Sequence, residues 1–446
     1  MNTTTKARIA VIGAGPAGLL CARVLQLHGV DVTVYDADVS FEARDAGGTL
    51  DLHADTGQIA LEDAGLMAAF TALARPEGQA KSRLDQHGNV LASFVPDEDD
   101  DAAPEIDRGQ LRALLAEHLT PDTVRWGHKL TAATALGQGE HRIEFANGVL
   151  AETDLVIGAD GAWSRVRPLV GHAVPRYSGV SLLETRFDDV DRRHPQIAKL
   201  VGDGHMFANS GNGRAIIGQR NSNGHVRGYI GMRIDLDWHA DAGIDLNDTE
   251  AVRRFLLAEF GGWAEQLLPL LTDSDSYVNR PLNVLPAPLT WEHTPGVTLL
   301  GDAAHLMSPF GGYGTNLAML DGAELARAIA EEPTLDAAIT RYETVMLPRS
   351  GALAVGANQA LERFFATGAN MPDTKAEHQR YKESAAAYRR QHGTPVPQRG
   401  PVTPADANPD GPIDGSAMRH SERARAAPTT TQRKPPGRPR WRLCVR

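Results

Sequence analysis

Apolar and polar positions change period several times along the chain, and each change marks an element. Residues 8–12 (RIAVI) form a short apolar run closed by Gly13, which predicts a buried parallel strand. Apolar residues then recur at helical spacing over 15–28, up to Gly29. Residues 30–35 alternate and predict a second strand ending at Asp36; strand, helix and strand together have the length of a βαβ unit. Residues 107–119 place Leu111, Leu114, Leu115 and Leu119 on one helical face, with Asp107 able to cap it. Two further buried strands are predicted at 154–158 (DLVIG) and 297–301 (VTLLG). From about 177 to 280 the texture shifts to alternating segments such as 225–234, turn pairs such as Asn223-Gly224 and scattered aromatics, which predicts an antiparallel sheet. Residues 317–331 and 335–360 are Ala-rich and helical in pattern.

This order predicts an α/β chain. A Rossmann-like nucleotide-binding domain is assembled from 1–176 and 281–331, with an antiparallel-sheet substrate domain inserted at 177–280. Helices follow over 332–393, and a disordered, basic, Pro-rich tail over 394–446. Composition changes this picture little: 42% hydrophobic and 23% charged residues are ordinary for a globular protein. The net charge of −11 argues against nucleic acid or anionic membrane as partners. Residues 398–446 hold ten Lys/Arg against four Asp/Glu, a net of +6, which leaves −17 on the preceding residues; the tail is expected to be a solvated extension. Cys21 and Cys444 stand far apart, outside any ligand cluster, so neither a disulfide framework nor a metal site is expected. Residues 97–101 (DEDDD) are expected to form a solvated loop. With no secretory leader and no apolar run of membrane length, the expectation is a cytoplasmic monomer.

The candidate chemistry begins at Gly13-Ala14-Gly15-Pro16-Ala17-Gly18. In such a motif Gly13 allows the tight turn, Gly15 lets backbone approach a pyrophosphate, and Gly18 lets the helix pack against the sheet. Ala17 lies in the same first turn, where unpaired N–H groups favour phosphate. Asp36, about 20 residues on, suits a ribose with a free 2′-OH. These residues alone allow NAD as readily as a flavin dinucleotide. Two later motifs decide between them. Asp160-Gly161 follows one strand, and Gly301-Asp302 follows another, succeeded by Pro309, Gly312, Gly314 and Asn316. Asp302 can accept from ribose or ribityl hydroxyls, and the helix start near Gly314–Asn316 can stabilise negative charge on a reduced flavin.

The three motifs, in this order and spacing, resemble the single-component flavin monooxygenases of the p-hydroxybenzoate hydroxylase type, over residues 8–331 and more loosely to about 390. The resemblance implies that the Rossmann-like domain binds FAD. It also implies that NADPH or NADH is a transient co-substrate, and that O2 is used to hydroxylate an organic small molecule through a flavin C4a-hydroperoxide. Within the family, residues 41–53 (FEARDAGGTLDLH), 107–115 (DRGQLRALL) and 301–310 (GDAAHLMSPF) are most similar to the tetracycline-inactivating, TetX-like enzymes. By that likeness Arg44 would meet NADPH, and Asp51, Arg108 and Asp302 would contact FAD. Gly47-Gly48 would let the flavin ring approach backbone closely. Where that group carries a substrate-facing glutamine and arginine, this chain has Leu183 or Glu184, and His205. The implied substrate is a tetracycline-like or other polycyclic or aromatic compound. No protein nucleophile, catalytic side chain or metal is called for. Two other readings remain open: an FAD-dependent reductase or dehydrogenase, and a non-catalytic FAD- or drug-binding protein. A flavin halogenase is disfavoured because the chain has no Trp-x-Trp pair.

Overall fold

The computed structural model describes residues 7–43, 47–367 and 373–393. Arg44 and the basic tail therefore lie outside the described residues. The apolar runs of the sequence assemble into one parallel sheet. Its strands lie side by side in the order Val297–Leu299, Leu155–Gly158, Ile9–Ile12, Thr33–Tyr35, Val124–Arg125. Every residue of Ile9–Ile12 and Leu155–Gly158 is buried, which explains why these segments read as continuous apolar runs. The first strand sits centrally, with Thr33–Tyr35 on one side and Leu155–Gly158 on the other. A topological switch point thus lies at its carboxyl end, where open α/β sheets bind ligands. Pro16–Leu27 and Tyr313–Glu331 are the helices above this edge; Gly322 lets them touch, since a Cβ there would lie 2.7 Å from the Ala17 carbonyl oxygen.

The second layer is a seven-stranded sheet, and it departs from expectation in two ways. It is not confined to residues 177–280: Lys81–Asp85 and Val90–Phe94 form one margin, and Val278–Val284 runs past 280 on the other. Nor is it wholly antiparallel, because His205–Asn209 pairs in parallel with Lys81–Asp85. The first of these strands is short and polar (KSRLD) and the second, though apolar, is short and largely exposed, so neither signals membership in a sheet whose other strands lie far along the chain. Alternation divides this sheet cleanly. Leu84, Leu183, Met206, Ile216, Ile230 and Met232 face a core closed by the helices Pro195–Val201, Thr249–Glu259 and Pro269–Thr272. The register puts Lys81, His205, Gln219 and Arg227 in one row across the opposite face, and Arg83, Phe207, Ile217, Tyr229 and Glu184 in the next. Leu183 is therefore a core residue, and Glu184 lies on the face opposite that core.

Two long helices complete the described chain. Leu335–Thr367 brings Phe364 and Phe365 against Phe310, with ring centroids 4.8 and 5.8 Å apart. Thr374–His392 is capped by Asp373. It docks on the acidic loop, where His378 lies 2.7 Å and Lys382 3.0 Å from Asp100. Asp100 is thus a docking residue, which the run of acids alone did not indicate. Among the described residues no helix is long and apolar enough to cross a membrane.

Candidate functional site: a dinucleotide cleft and a buried polar cluster behind it

A cavity of about 390 Å³ opens at the carboxyl ends of the parallel strands. Gly13, Gly15, Ala17, Asp36, Arg108, Asp160, Asp302 and Gly314, all candidates from the sequence, line it. Its walls are set by local geometry. Gly13 has φ of +113°, and a Cβ there would fall 2.3 Å from the Ala159 carbonyl oxygen, so only glycine fits. Gly18 does not line the cavity; a Cβ on it would sit 2.1 Å from the Gly13 carbonyl oxygen, and its bareness lets the helix seat on the turn. Gly15 and Gly314 are different, since a Cβ on either meets no protein atom within 4 Å. Both glycines face the open cleft.

The fit to a dinucleotide can be judged from the donors and acceptors. Gly15 and Gly312 are the N-caps of Pro16–Leu27 and Tyr313–Glu331, and neither helix has a side-chain cap. Their first-turn N–H groups and positive ends are left for a ligand. Asp160 accepts from the Arg165 N–H at 2.7 Å through Oδ2, while its buried Oδ1 has no protein partner. Asp302 lies exposed on the wall, with Arg108 and Lys129 as cations nearby. Carboxylates for hydroxyls, bare helix ends and cations for phosphates are the donor set that FAD requires.

Asp36 has a second duty. Its Oδ2 accepts from the Ala14 N–H at 2.6 Å and its Oδ1 from the Asp38 N–H at 2.8 Å, so it clamps the glycine turn as well as lining the cleft. Asn316 is wholly occupied: its Oδ1 accepts from the His53 and Gly57 N–H groups at 2.9 and 3.2 Å, and its Nδ2 donates to the Asp51 and Gly312 carbonyls at 2.8 and 2.9 Å. It staples the Thr49–Asp51 strand to the Tyr313–Glu331 helix, and its side chain has no bond left for a ligand. The Pro309 carbonyl accepts from the Gly312 N–H at 3.3 Å and shapes the same turn.

Several supporting residues were given no site role by the sequence. Arg167 donates to the carbonyls of Ala303, Ala162 and Asp302 at 2.7, 2.8 and 3.1 Å, tying the Asp160 loop to the Asp302 turn. Arg112 donates to the carbonyls of Ala14 and Phe41 at 3.1 and 3.0 Å and braces the glycine loop. His305, for which the sequence offered no partner, is buried with Nε2 2.6 Å from Asp321 Oδ2. Burial alone would push His305 down, but Asp321 outweighs it and holds the imidazole above its ordinary range. His128, Lys129, Trp163 and Arg165 also line the cleft. Of these, Trp163 and Arg165 follow closely on the Asp160-Gly161 turn singled out in the sequence.

Next to Arg108 and the Gly314 helix start stand Gly47, Gly48, Asp51 and Gly312. A Cβ on Gly47 would lie 3.1 Å from Arg108 Cδ, one on Gly48 would lie 2.4 Å from Gln219 Oε1 and 2.8 Å from the Tyr229 hydroxyl, and one on Gly312 would lie 2.9 Å from Asp51 Oδ1. These glycines therefore let the sheet face, the Asp51 strand and the Arg108 helix converge. His53 lies 3.3 Å from Asp51 and stacks on Tyr381 at 4.2 Å, and Lys81 is 4.0 Å from the same carboxylate. Burial opposes the charge on Asp51, yet His53 and Lys81 prevail and hold its carboxyl below the usual range. On the sheet face, Glu184 pairs with Arg227 and, at 3.0 Å, with Arg280. Beside them Phe207, Tyr229, Leu282 and Phe310 pack on Leu182, Phe364 and Phe365 as an aromatic and aliphatic wall.

The chain matches known proteins over most of its length. A family model described as "FAD binding domain" covers residues 6–353. The monooxygenase penA of Penicillium thymicola is 32% identical over 409 residues, spanning 78% of this chain and 93% of that protein. The 6-hydroxynicotinate 3-monooxygenase of Pseudomonas fluorescens is 29% identical over 339 residues, spanning 73% and 83%. Among solved structures, Klebsiella pneumoniae HpxO complexed with FAD and uric acid shares the fold, with a TM-score of 0.67 at 21% identity over 85% of this chain and 94% of that one. The tetracycline destructase Tet(55) does so with a TM-score of 0.64 at 21% identity, over 89% and 99%.

Proposed function

Since the chain belongs to the FAD binding domain family and is an FAD-dependent monooxygenase, we propose that it takes its electrons from NADPH or NADH and hydroxylates an aromatic or polycyclic organic compound with O2. The observation that carries this reading is the continuity of the site. The cleft lined by Asp36, Asp160 and Asp302 reaches Arg108, whose side chain lies against Gly47, and the neighbouring Gly48 touches the sheet face at Gln219 and Tyr229, beside the wall of Phe207 and Phe310. When bound, FAD supplies hydride acceptance and oxygen activation.

The residues then have separable tasks. The bare helix start after Gly15 would hold the pyrophosphate, and Asp36 the adenosine ribose. Asp160 and Asp302 would accept from ribityl or ribose hydroxyls, and Arg108 would neutralise phosphate charge from the opposite wall. The helix start at Gly314 would face the flavin and favour its reduced, negatively charged form. The aromatic wall would orient a planar substrate by stacking and exclude water from the reacting region. Relatives support a ring substrate, as one is named for acting on 6-hydroxynicotinate and another on 3-amino-4-hydroxybenzoate. A panel of such aromatic and polycyclic compounds tests the reading. The right compound should raise NAD(P)H consumption and yield a product one oxygen heavier. Oxidation of NAD(P)H with a product lacking added oxygen would instead favour a reductase.

Arg44 belongs to this proposal through its place in the sequence, beside the glycines of the flavin-side loop. A guanidinium holds phosphate bidentately, and NADPH is strongly anionic while this chain is acidic overall. Arg44→Ala is expected to slow flavin reduction by NADPH about tenfold or more, at a cost in binding of roughly 1.4 kcal/mol, while FAD content stays intact. Stopped-flow reduction over a range of NADPH concentrations measures this. An unchanged rate and affinity would remove Arg44 from the nicotinamide site.

A further inference from the structure

Behind Arg108, on the far side of the Asp51 strand, lies a group of buried polar atoms that the mechanism above does not use. Glu105 is 1% exposed and His205 8%. Glu105 Oε1 faces His205 Nε2 at 3.6 Å, and both atoms are buried without a hydrogen-bond partner. The other carboxyl oxygen is fully assigned. Arg75 Nη2 donates to Thr49 Oγ1 at 3.1 Å, which leaves the single Thr49 hydrogen for Glu105 Oε2 at 2.7 Å. A proton carried by this carboxyl therefore belongs on Oε1, in the gap facing the imidazole. The gap is longer than a hydrogen bond and small enough to close by a modest side-chain rotation. Gly78 makes room for the arrangement, since a Cβ there would lie 2.8 Å from Glu105 Cβ.

The surroundings favour one shared proton. Burial is the largest influence on both groups and disfavours charge on each; Asp51 opposes ionisation of Glu105 but favours protonated His205, while Lys81 from the sheet and Arg75 from the preceding loop do the reverse. Beyond these, Asp107 lies 3.7 Å from Arg75, His53 lies 3.3 Å from Asp51, and Arg108, which lines the cleft, feels the charges of both Asp51 and Glu105. Burial, with Asp51, pushes the Glu105 carboxyl up to about 8, and burial, with Lys81, pushes the His205 imidazole down to about 3.

We propose that Glu105 and His205 hold a single proton between them at neutral pH, resting on Glu105, and that this proton is the reserve drawn on when oxygen is reduced in the adjoining cleft. The second part rests on the monooxygenase reading. Hydroxylation converts substrate, O2, NAD(P)H and one proton into hydroxylated product, NAD(P)+ and water. Without substrate, anionic reduced flavin, O2 and one proton give oxidised flavin and hydrogen peroxide. Each route consumes one proton per O2, which a buried donor beside the cleft is placed to supply. Glu105 acts here as a positioned donor through His205, not as a group in contact with FAD.

The experiment uses the FAD-loaded full chain. Infrared spectra of the wild type at pH 7 should show the carbonyl stretch of a protonated carboxylic acid that fades as pH rises through about 8 and is missing from Glu105→Gln. The absence of that band from wild type, or an imidazolium signal for His205 in nitrogen NMR at pH 7, overturns the shared proton. Protein reduced with dithionite and mixed with O2 reports the second part. Glu105→Gln should reoxidise at least tenfold more slowly at pH 7, a lower bound on the roughly 10²–10⁴-fold that a positioned proton donor contributes, and lose the wild-type fall in rate through about pH 8. Equal rates and pH profiles overturn the reserve while leaving the infrared result to decide proton sharing, and neither measurement depends on a known substrate. If Glu105→Gln does not fold, His205→Asn serves. It removes the acceptor and should shift the midpoint at which the carboxyl band fades, and an unmoved midpoint overturns the pairing. Stability offers a further readout. The folded carboxyl is raised, so its contribution is complete below the ordinary carboxylate range and is lost as pH climbs through about 8. Between about pH 6.5, the ordinary histidine value, and pH 8 the wild type should lose stability that Glu105→Gln keeps.

Discussion

Gly15→Val is expected to give a folded protein that carries no FAD. The backbone at Gly15 has φ −80° and ψ 176°, an extended conformation open to any residue, and a Cβ there meets no protein atom within 4 Å. The substitution therefore asks nothing of the fold beyond a weaker N-cap, a matter of a few tenths to about 1 kcal/mol. The new side chain would instead occupy the cleft at the start of the Pro16–Leu27 helix, where on the proposed reading backbone would approach the pyrophosphate. FAD affinity should fall at least a hundredfold, roughly 2.7 kcal/mol. Circular dichroism and thermal unfolding should stay near wild type while the flavin absorbance disappears. The same loss in Gly13→Val or Gly18→Val would teach less, because there the new atoms collide with the Ala159 and Gly13 carbonyls and the strand–helix turn itself is displaced. A yellow Gly15→Val protein with wild-type flavin content would place the dinucleotide elsewhere.

Asp321→Ala should be the most damaging single change outside the glycine turn. The carboxylate is fully buried and satisfies three donors at once: the Gly301 N–H at 3.1 Å, His305 at 2.6 Å and Arg349 Nη2 at 3.0 Å. Removing it leaves Arg349 with Glu324, at 2.8 Å, as its remaining partner in this network, and leaves His305 Nε2 without its acceptor. Breaking a buried charge pair from one side costs about 3–5 kcal/mol, since the surviving charge stays desolvated. The Gly301 N–H belongs to the turn that presents Asp302, so flavin occupancy should fall together with stability. Urea unfolding and released flavin fluorescence measure the two effects. Asp321→Asn, which can still accept from Gly301, should recover part of the turn and little of the Arg349 pairing. A loss below about 1 kcal/mol in the alanine variant would show that this network contributes little to the native state.

The pH response of the same network has the opposite sign to that of a lone buried histidine. Because Asp321 holds the folded His305 above its ordinary range, the stability it confers is complete below that range and is lost as pH rises through the folded value. Glu105 also withdraws stability on the alkaline side, so Asp321→Ala and Glu105→Gln should each flatten the alkaline limb, from separate sites.

Which parts of this protein were legible beforehand follows from how far apart the partners lie in sequence. The Gly13–Gly18 turn, its flanking strands and Asp36 fall within some 25 residues, and steric rules for glycine, helix ends and buried strands fix them locally. The Asp160 and Asp302 turns were legible for the same reason, each being a glycine or aspartate just past an apolar strand. Period-2 alternation likewise showed that a sheet lay between 177 and 280. It could not tell which strands are neighbours. That is decided by the packing of many side chains at once, and it inserted residues 81–94 beside 205–209. Only this placement brings His205 to Glu105 and Lys81 to Asp51, and turns Glu184 to the polar face while Leu183 enters the core. The same holds for Asn316, whose partners His53 and Gly57 are some 260 residues away, and which therefore read as a cleft residue until the fold used up its hydrogen bonds. The sequence determined the cleft through local backbone chemistry. The tertiary structure decided the proton-bearing cluster behind it, because its members lie on separate strands and loops that only the completed core holds together.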